Sequence, residues 1–240
     1  MSKELANLVF PNIDKTPEYY EELYPKRNLE EGAVVTRFAP SPTGFIHIGS
    51  LFTANFASRF ARQTNGVYYL RIEDTDGKRE VEDGINVIIN GLKVFDVKFD
   101  EGPVDENNQV GNYGPYIQSQ RKDIYQAYAK SLIEKGLAYP CFCTEEELNK
   151  IRERQEKLKI RPGYYGEFAA CRKMSEAQMI ERINNGEKFI VRLKSPGNPN
   201  KKVRYTDLIR GVIEFPENDQ DIVIIKSDGL PTYHFAHAID

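Results

Sequence analysis

The sequence predicts an α/β fold: a parallel sheet interrupted by an inserted α+β domain. Three observations carry that expectation. From Gly32 onward, strand-like apolar runs alternate with helix-patterned segments, and strand–helix–strand–helix order favours a parallel sheet. The alternation breaks in the middle of the chain, over about residues 139–212, where capped helices give way to closely spaced strands. With 240 residues, 40% of them hydrophobic and 29% charged, the chain is long enough to bury a core and to hold one or two domains.

Residues 1–32 read as an N-terminal extension. Thr16 and Pro17 suit the start of a short helix in "TPEYYEELYP", and Pro25 ends it. "GAVVTRF" (Gly32–Phe38) is the first strand, and "APSPTG" is the turn after it. A helix follows from about His47 to Gln63, with Leu51, Phe52, Phe56 and Phe60 as its apolar stripe. "TNG" (Thr64–Gly66) stops it. "VYYLRIEDTD" (Val67–Asp76) is the second strand, ending in acidic residues, and "EVEDGINVIINGLKVF" the second helix.

"SQRKDIYQAYAKSLIEKG" is helical and leads into "LAYPCFC". Thr144 with Glu147, and Ser175 with Gln178, have capping-box spacing and open two further helices. "KFIVRLKSP", "VRYTDLIRGVIEF" and "QDIVIIKSDGLPTYHFAHAID" read as strands with turns. The expected division is an extension at 1–32, a nucleotide-binding domain from 33–138 and 213–240, and an insertion at 139–212. Ile222–Lys226 would return to the parallel sheet.

Bulk properties exclude some classes. A net charge of −3 argues against a globally basic nucleic-acid binder, though not against a local basic face. Residues 188–210 supply such a run, with seven Lys or Arg against one Asp. There is no signal-peptide core and no long apolar run, so a cytoplasmic protein without membrane contact is expected. Cys141, Cys143 and Cys171 are odd in number, which points to free or metal-bound thiols rather than disulfides.

The stretch "TRFAPSPTGFIHIGS" is the most informative. A strand, a turn and a helix in succession put the helix start beyond the carboxyl end of the strand, where open α/β sheets bind ligands. Free N–H groups and the helix dipole there suit phosphate. His47 can donate to phosphate oxygens, and Gly49 lets a flat base approach the backbone. Taken alone, H-x-G is equally a surface helix start, and Gly44 a plain turn residue.

The longer string decides more. "RFAPSPTGFIHIGS" followed by "RIEDTD", "DLIRG" and "VIIKSDGLPTYHFAHAID" resembles the class I glutamyl-tRNA synthetases from about Gly32 to the C-terminus. The resemblance implies a Rossmann-type sheet with an inserted acceptor-binding domain. It also implies ATP-dependent activation of L-glutamate, with Mg²⁺, and transfer to tRNA(Glu). By the same resemblance Thr43, His47 and Gly49 bind ATP, and His47 serves catalysis. Arg37, Ala39, Ser41, Glu73, Tyr233 and His237 would form the glutamate pocket. Arg37 would grip the carboxylate bidentately and Glu73 would take the ammonium. Ser50 departs from the last position of the family's HIGH motif.

Relatives bind zinc at C-x-C…C-x-H; here Lys173 stands at the last place, so Cys141, Cys143 and Cys171 need another fourth ligand. Tyr164, Tyr165 and Glu167 are the candidates, Tyr164 the first of them. "RKMSEA" imitates the KMSKS loop, but Ser175 is better explained as a helix cap. The family's lysine loop would fall beyond Asp240. The expectation is therefore an N-terminal fragment, inactive alone. Three alternatives stand beside it. A glutaminyl enzyme would carry P-P-E-P-N where "APSPT" stands. A glutamyl-queuosine tRNA(Asp) synthetase-like paralogue would begin nearer the first strand. A catalytically inert nucleotide- or RNA-binding module is the third.

Overall fold

The computed structural model describes residues 2–75 and 81–240. Asp76, expected at the end of the second strand, lies outside the described residues. The chain forms two compact units, a continuous one of residues 18–124 and a split one of residues 1–17 with 125–240.

In the continuous unit, β1 (Val35–Phe38) pairs in parallel with β2 (Val67–Leu70), with Arg37 opposite Tyr69. The ladder continues past both strands, since Arg71 N donates to Phe38 O and Glu73 N to Pro40 O, each at 2.9 Å. Parallel bridges Tyr69–Glu101 and Ile72–Ile117 extend the arrangement on the far side of β2. The expected parallel sheet is thus present. A short antiparallel pair, β3 (Gly102–Pro103) with β4 (Gln109–Val110), has no clear sequence signal.

The crossover between β1 and β2 is α3 (Ile48–Gln63). It buries Leu51, Ala54, Ser58 and Ala61. Phe52 and Phe56 were expected in the buried stripe, yet they are 72% and 66% exposed and, with Phe60, stack along the outside of the helix. Small residues let α3 lie close to the sheet, and the bulky rings fall on the other face. The core closes with α4 (Gly84–Val94), whose Ile88, Ile89 and Leu92 meet Phe38, Tyr68, Leu70 and Ile72. Each such aliphatic side chain contributes about 1.5–3 kcal/mol on burial.

The stop of α3 is tight. Asn65 takes the left-handed conformation at φ 53°, and Gly66 N donates to Ala61 O at 2.8 Å. A Cβ on Gly66 would fall 1.8 Å from the Val34 carbonyl oxygen, so only glycine fits between α3 and β2.

The expected extension is not a separate element. Its second helix, α2 (Pro17–Leu23), begins with the expected proline. Beyond it, Arg27 forms a bidentate pair with Glu101 and lies 3.7 Å over the Tyr113 ring. Tyr116 donates to the same carboxylate at 2.7 Å. Burial alone would raise the Glu101 pKa, but the hydrogen bonds from Arg27 and Tyr116 outweigh it and hold the carboxyl below its usual range. The first helix, α1 (Lys3–Val9), belongs instead to the split unit. There the Ser2 backbone N–H donates to Glu176 at 3.1 Å, and Lys130 Nζ donates to the Phe10 and Ile13 carbonyls at 3.3 and 2.6 Å.

The rest of the split unit centres on an antiparallel sheet in the order β5 (Ala138–Cys141), β6 (Ile190–Leu193), β9 (Val223–Ile225). The division between units falls within α5 (Lys122–Glu134). Pairing of β9 with β6 corrects the expected return of Ile222–Lys226 to the parallel sheet. Two helices, α6 (Glu145–Lys157) and α7 (Glu176–Asn184), each open with the expected capping box. β7 (Lys202–Asp207) and β8 (Gly211–Pro216) form a hairpin. The last segment, expected as strand and turn, closes as α8 (Tyr233–Ile239).

Candidate functional site

The groove of the continuous unit is built by the passage from β1 through the turn into α3. It encloses about 600 Å³ and is lined by Ala39, Ser41, Thr43, His47, Gly49 and Ser50, among others. Phe38 points into the core, so strand alternation turns Arg37 and Ala39 to the opposite face. Continuation of the ladder sets Glu73 beside Pro40. Arg37 and Glu73 are half-buried, and neither lines the groove itself.

His47 is the N-cap of α3. Its Nδ1 accepts from the backbone N–H groups of Gly49 and Ser50 at 3.1 and 3.3 Å. Two of the N–H groups expected to be free for phosphate are therefore satisfied by the histidine. With Nδ1 accepting, Nε2 is the ring's donor nitrogen. That donor has Ser50 Oγ 3.2 Å away. Ser50, the departure from the family motif, thus helps to fix the ring. A Cβ on Gly49 would come within 3.0 Å of the imidazole, which gives this glycine a packing reason as well.

Tyr233 and His237 belong to the split unit. They stack one turn apart along α8 with ring centroids 5.7 Å apart and 17° between planes. Tyr233 is exposed. Of the acidic turn, Asp74 receives the Ser119 N–H at 2.8 Å and is engaged in holding the loop.

The three cysteines come together. Their Sγ atoms lie within 4.8 Å of one another, with Cys143 and Cys171 3.6 Å apart. The Tyr164 hydroxyl sits 3.4 Å from Cys141 Sγ and 3.2 Å from Cys143 Sγ, and accepts the Cys171 N–H at 3.0 Å. Cys141, Cys171 and Tyr164 are buried. The other two candidates for a fourth ligand are engaged elsewhere: Tyr165 donates to Arg161 O at 2.5 Å, and exposed Glu167 pairs with Arg154 at 3.6 Å. Tetrahedral zinc with Zn–S near 2.3 Å requires sulfurs about 3.8 Å apart and an oxygen about 3.5 Å from each. The Cys143–Cys171 spacing and the two Tyr164–sulfur spacings are close to those of such an ion, and the other sulfurs lie within 4.8 Å. Hydrogen bonds from Cys143 and Cys171 hold the Cys141 thiol well below its usual pKa, while Cys143 and Tyr164 are pushed up.

The basic run is less uniform than its sequence suggests. Lys201, Lys202, Arg204 and Arg210 are exposed on or beside the β7–β8 hairpin, but Arg192 is buried on β6. Lys202 and Arg204 both approach Glu214, at 3.4 and 3.7 Å.

Residues 33–240 match the family model for the catalytic domain of class I tRNA synthetases (E and Q). The chain belongs to this family. A glutamate–tRNA ligase of Clostridium perfringens (strain 13 / Type A) is 60% identical over 99% of this chain, which spans 44% of the relative's length. The corresponding ligase of Acetivibrio thermocellus is 51% identical over 99% of the chain and 44% of its own length. Among solved structures, a glutamate tRNA ligase from Elizabethkingia meningosepticum, described in complex with its amino acid, is similar with a TM-score of 0.76. It is 36% identical and is matched over 87% of this chain and 41% of that one. The chain therefore spans less than half the length of the relatives it matches. No helix among the described residues is long and apolar enough to cross a membrane.

Of the residues lining the groove, sequence reasoning assigned Ala39, Ser41, Thr43, His47 and Gly49 to a site; Phe45 and Thr53 are among those it did not. Their only sequence signal was position, inside the strand–turn–helix passage.

Proposed function

We propose that this chain provides the ATP- and glutamate-binding part of a glutamate–tRNA ligase. The observation that carries the reading is the groove at the strand-to-helix turn, lined by a histidine cap whose Nε2, 3.2 Å from Ser50 Oγ, would exchange that partner for phosphate. In this reading Thr43, His47 and Gly49 receive ATP, and His47 donates to the phosphates as charge is redistributed in the transition state. ATP is held with Mg²⁺. Arg37 takes the glutamate carboxylate, Glu73 the ammonium, and Ala39 and Ser41 line the amino-acid pocket. The acceptor is tRNA(Glu), with residues 139–212 as the acceptor-binding insertion and 33–138 as the nucleotide-binding part of the catalytic domain. The exposed lysines and arginines of the hairpin supply phosphate contacts. The setting is cytoplasmic.

The cysteine cluster holds a structural zinc, with Tyr164 as fourth ligand in place of the histidine of relatives. When bound, the ion cross-links β5 to the segment around Cys171 and supplies folding free energy. Support comes from the close grouping of three sulfurs and one phenol.

Calorimetry of the 240-residue chain with a stable glutamyl-adenylate analogue tests the reading. Binding should occur, and Arg37→Ala should weaken it at least tenfold, the loss of one charge-assisted pair. Affinity for ATP alone should be nearly unchanged. Equal loss for both ligands in a folded variant would defeat the assignment of Arg37.

A further inference from the structure

Arg192 is a buried cation without a carboxylate. It is 6% exposed on β6, and among the described residues it makes no ion pair. One terminal nitrogen donates to the backbone carbonyl of Asp221 at 2.8 Å, and its Nε has no hydrogen-bond partner. The Asp221 carboxylate is already taken by Arg172 and Tyr139, each at 2.5 Å, and by the Ser195 N–H at 2.8 Å. A guanidinium stays charged in any protein environment, and an unbalanced buried charge is costly. Something other than a carboxylate must compensate it.

The compensating group lies under its face. The guanidinium carbon of Arg192 sits 4.0 Å from the centre of the Tyr164 ring, whose hydroxyl stands among the three cysteines. Three thiolates and a phenolate around a divalent ion leave an excess of negative charge in a buried place. A planar cation laid on the ring meets that charge without competing for the ligand oxygen. Stacking also holds the ring in place, so that the hydroxyl points at the sulfurs.

We propose that Arg192 is the positioning residue and counter-charge of the metal centre, set against the tyrosine ligand. The proposal rests on the zinc reading above. The test compares the 240-residue chain with Arg192→Met, Tyr164→Phe and the double variant. Zinc affinity is measured by competition with a chromophoric chelator, and thermal unfolding is followed with and without metal. Arg192→Met should weaken zinc binding about 10–100-fold, as loss of an outer-shell partner does. It should lower Tm more in the zinc-loaded protein than in the chelated one. The effect should shrink in the Tyr164→Phe background. A folded Arg192→Met with wild-type affinity, or an equal Tm loss in both forms, overturns the proposal. Should Arg192→Met not fold, Arg192→Lys keeps the charge without the planar stack. Severalfold weaker binding is then expected, and wild-type affinity refutes it. A wild-type chain that takes up no zinc removes the metal reading and this proposal together, a result distinct from the others.

Discussion

His47, Thr43 and Gly49 stand exposed at the groove of the continuous unit, whereas Cys141, Cys171 and Tyr164 are buried in the split unit. The groove keeps its donors in water and spends little folding energy on them. The cysteine cluster is closed and makes its contacts only with itself and its immediate support. The difference teaches which substitutions should report on binding and which on stability. At the groove a side chain can be removed with the fold intact. At the cluster, removing one member leaves buried groups unmatched.

The largest effect should come from the cluster. Cys171→Ser should abolish zinc uptake and remove most of the metal's share of stability, several kcal/mol for a structural site. Metal analysis with thermal unfolding checks this; a Cys171→Ser chain with full zinc and an unchanged Tm would dissolve the contrast. Next in size, Gly66→Ala forces a methyl against the Val34 carbonyl and should destabilise the continuous unit by about 3 kcal/mol or more, read by denaturant unfolding.

Glu101→Gln should be smaller and pH-dependent. The folded carboxyl titrates below its ordinary value of 4.5, so its contribution is present above that pH and is lost as pH falls through the folded pKa. The variant should be less stable than wild type at pH 7, and the gap should narrow as the pH falls through the folded pKa. A constant gap across the acid range would mean that the Arg27 pair is not ionic in origin. Smallest of all in stability, His47→Ala removes only an exposed cap, costing about 1 kcal/mol. Its effect on nucleotide affinity should be proportionately much larger, and calorimetry beside thermal unfolding separates the two. A His47→Ala chain that loses stability and keeps its affinity would place His47 with the structural residues.

Legibility in the sequence followed the range of the interaction. Both capping boxes, the stop after α3 and the strand–turn–helix passage depend on residues within a few positions of one another, and each reads correctly from sequence. The stripe of α3 does not, because Leu51, Ala54 and Ala61 have the same helical period as Phe52, Phe56 and Phe60. Periodicity finds both rows and cannot tell which faces the sheet. Pairing of β9 with β6 depends on residues about thirty positions apart and leaves no local trace. At the candidate site, the cysteines and Tyr164 stand out by residue type, whereas Arg192 looks like one more member of a basic run. Only burial separates it from its exposed neighbours.

The stop at the end of α3 has a chemical consequence for ageing of the protein. Asn-Gly pairs are the usual place for deamidation, because the glycine nitrogen attacks the asparagine side-chain amide and closes a succinimide ring. Attack requires the Gly66 nitrogen to leave its hydrogen bond to Ala61 O and the peptide to swing away from Val34. The contact that excludes any residue but glycine from position 66 therefore also holds that nitrogen out of reaction. Conversion of Asn65 to aspartate or isoaspartate becomes a record of how often this corner of the fold opens.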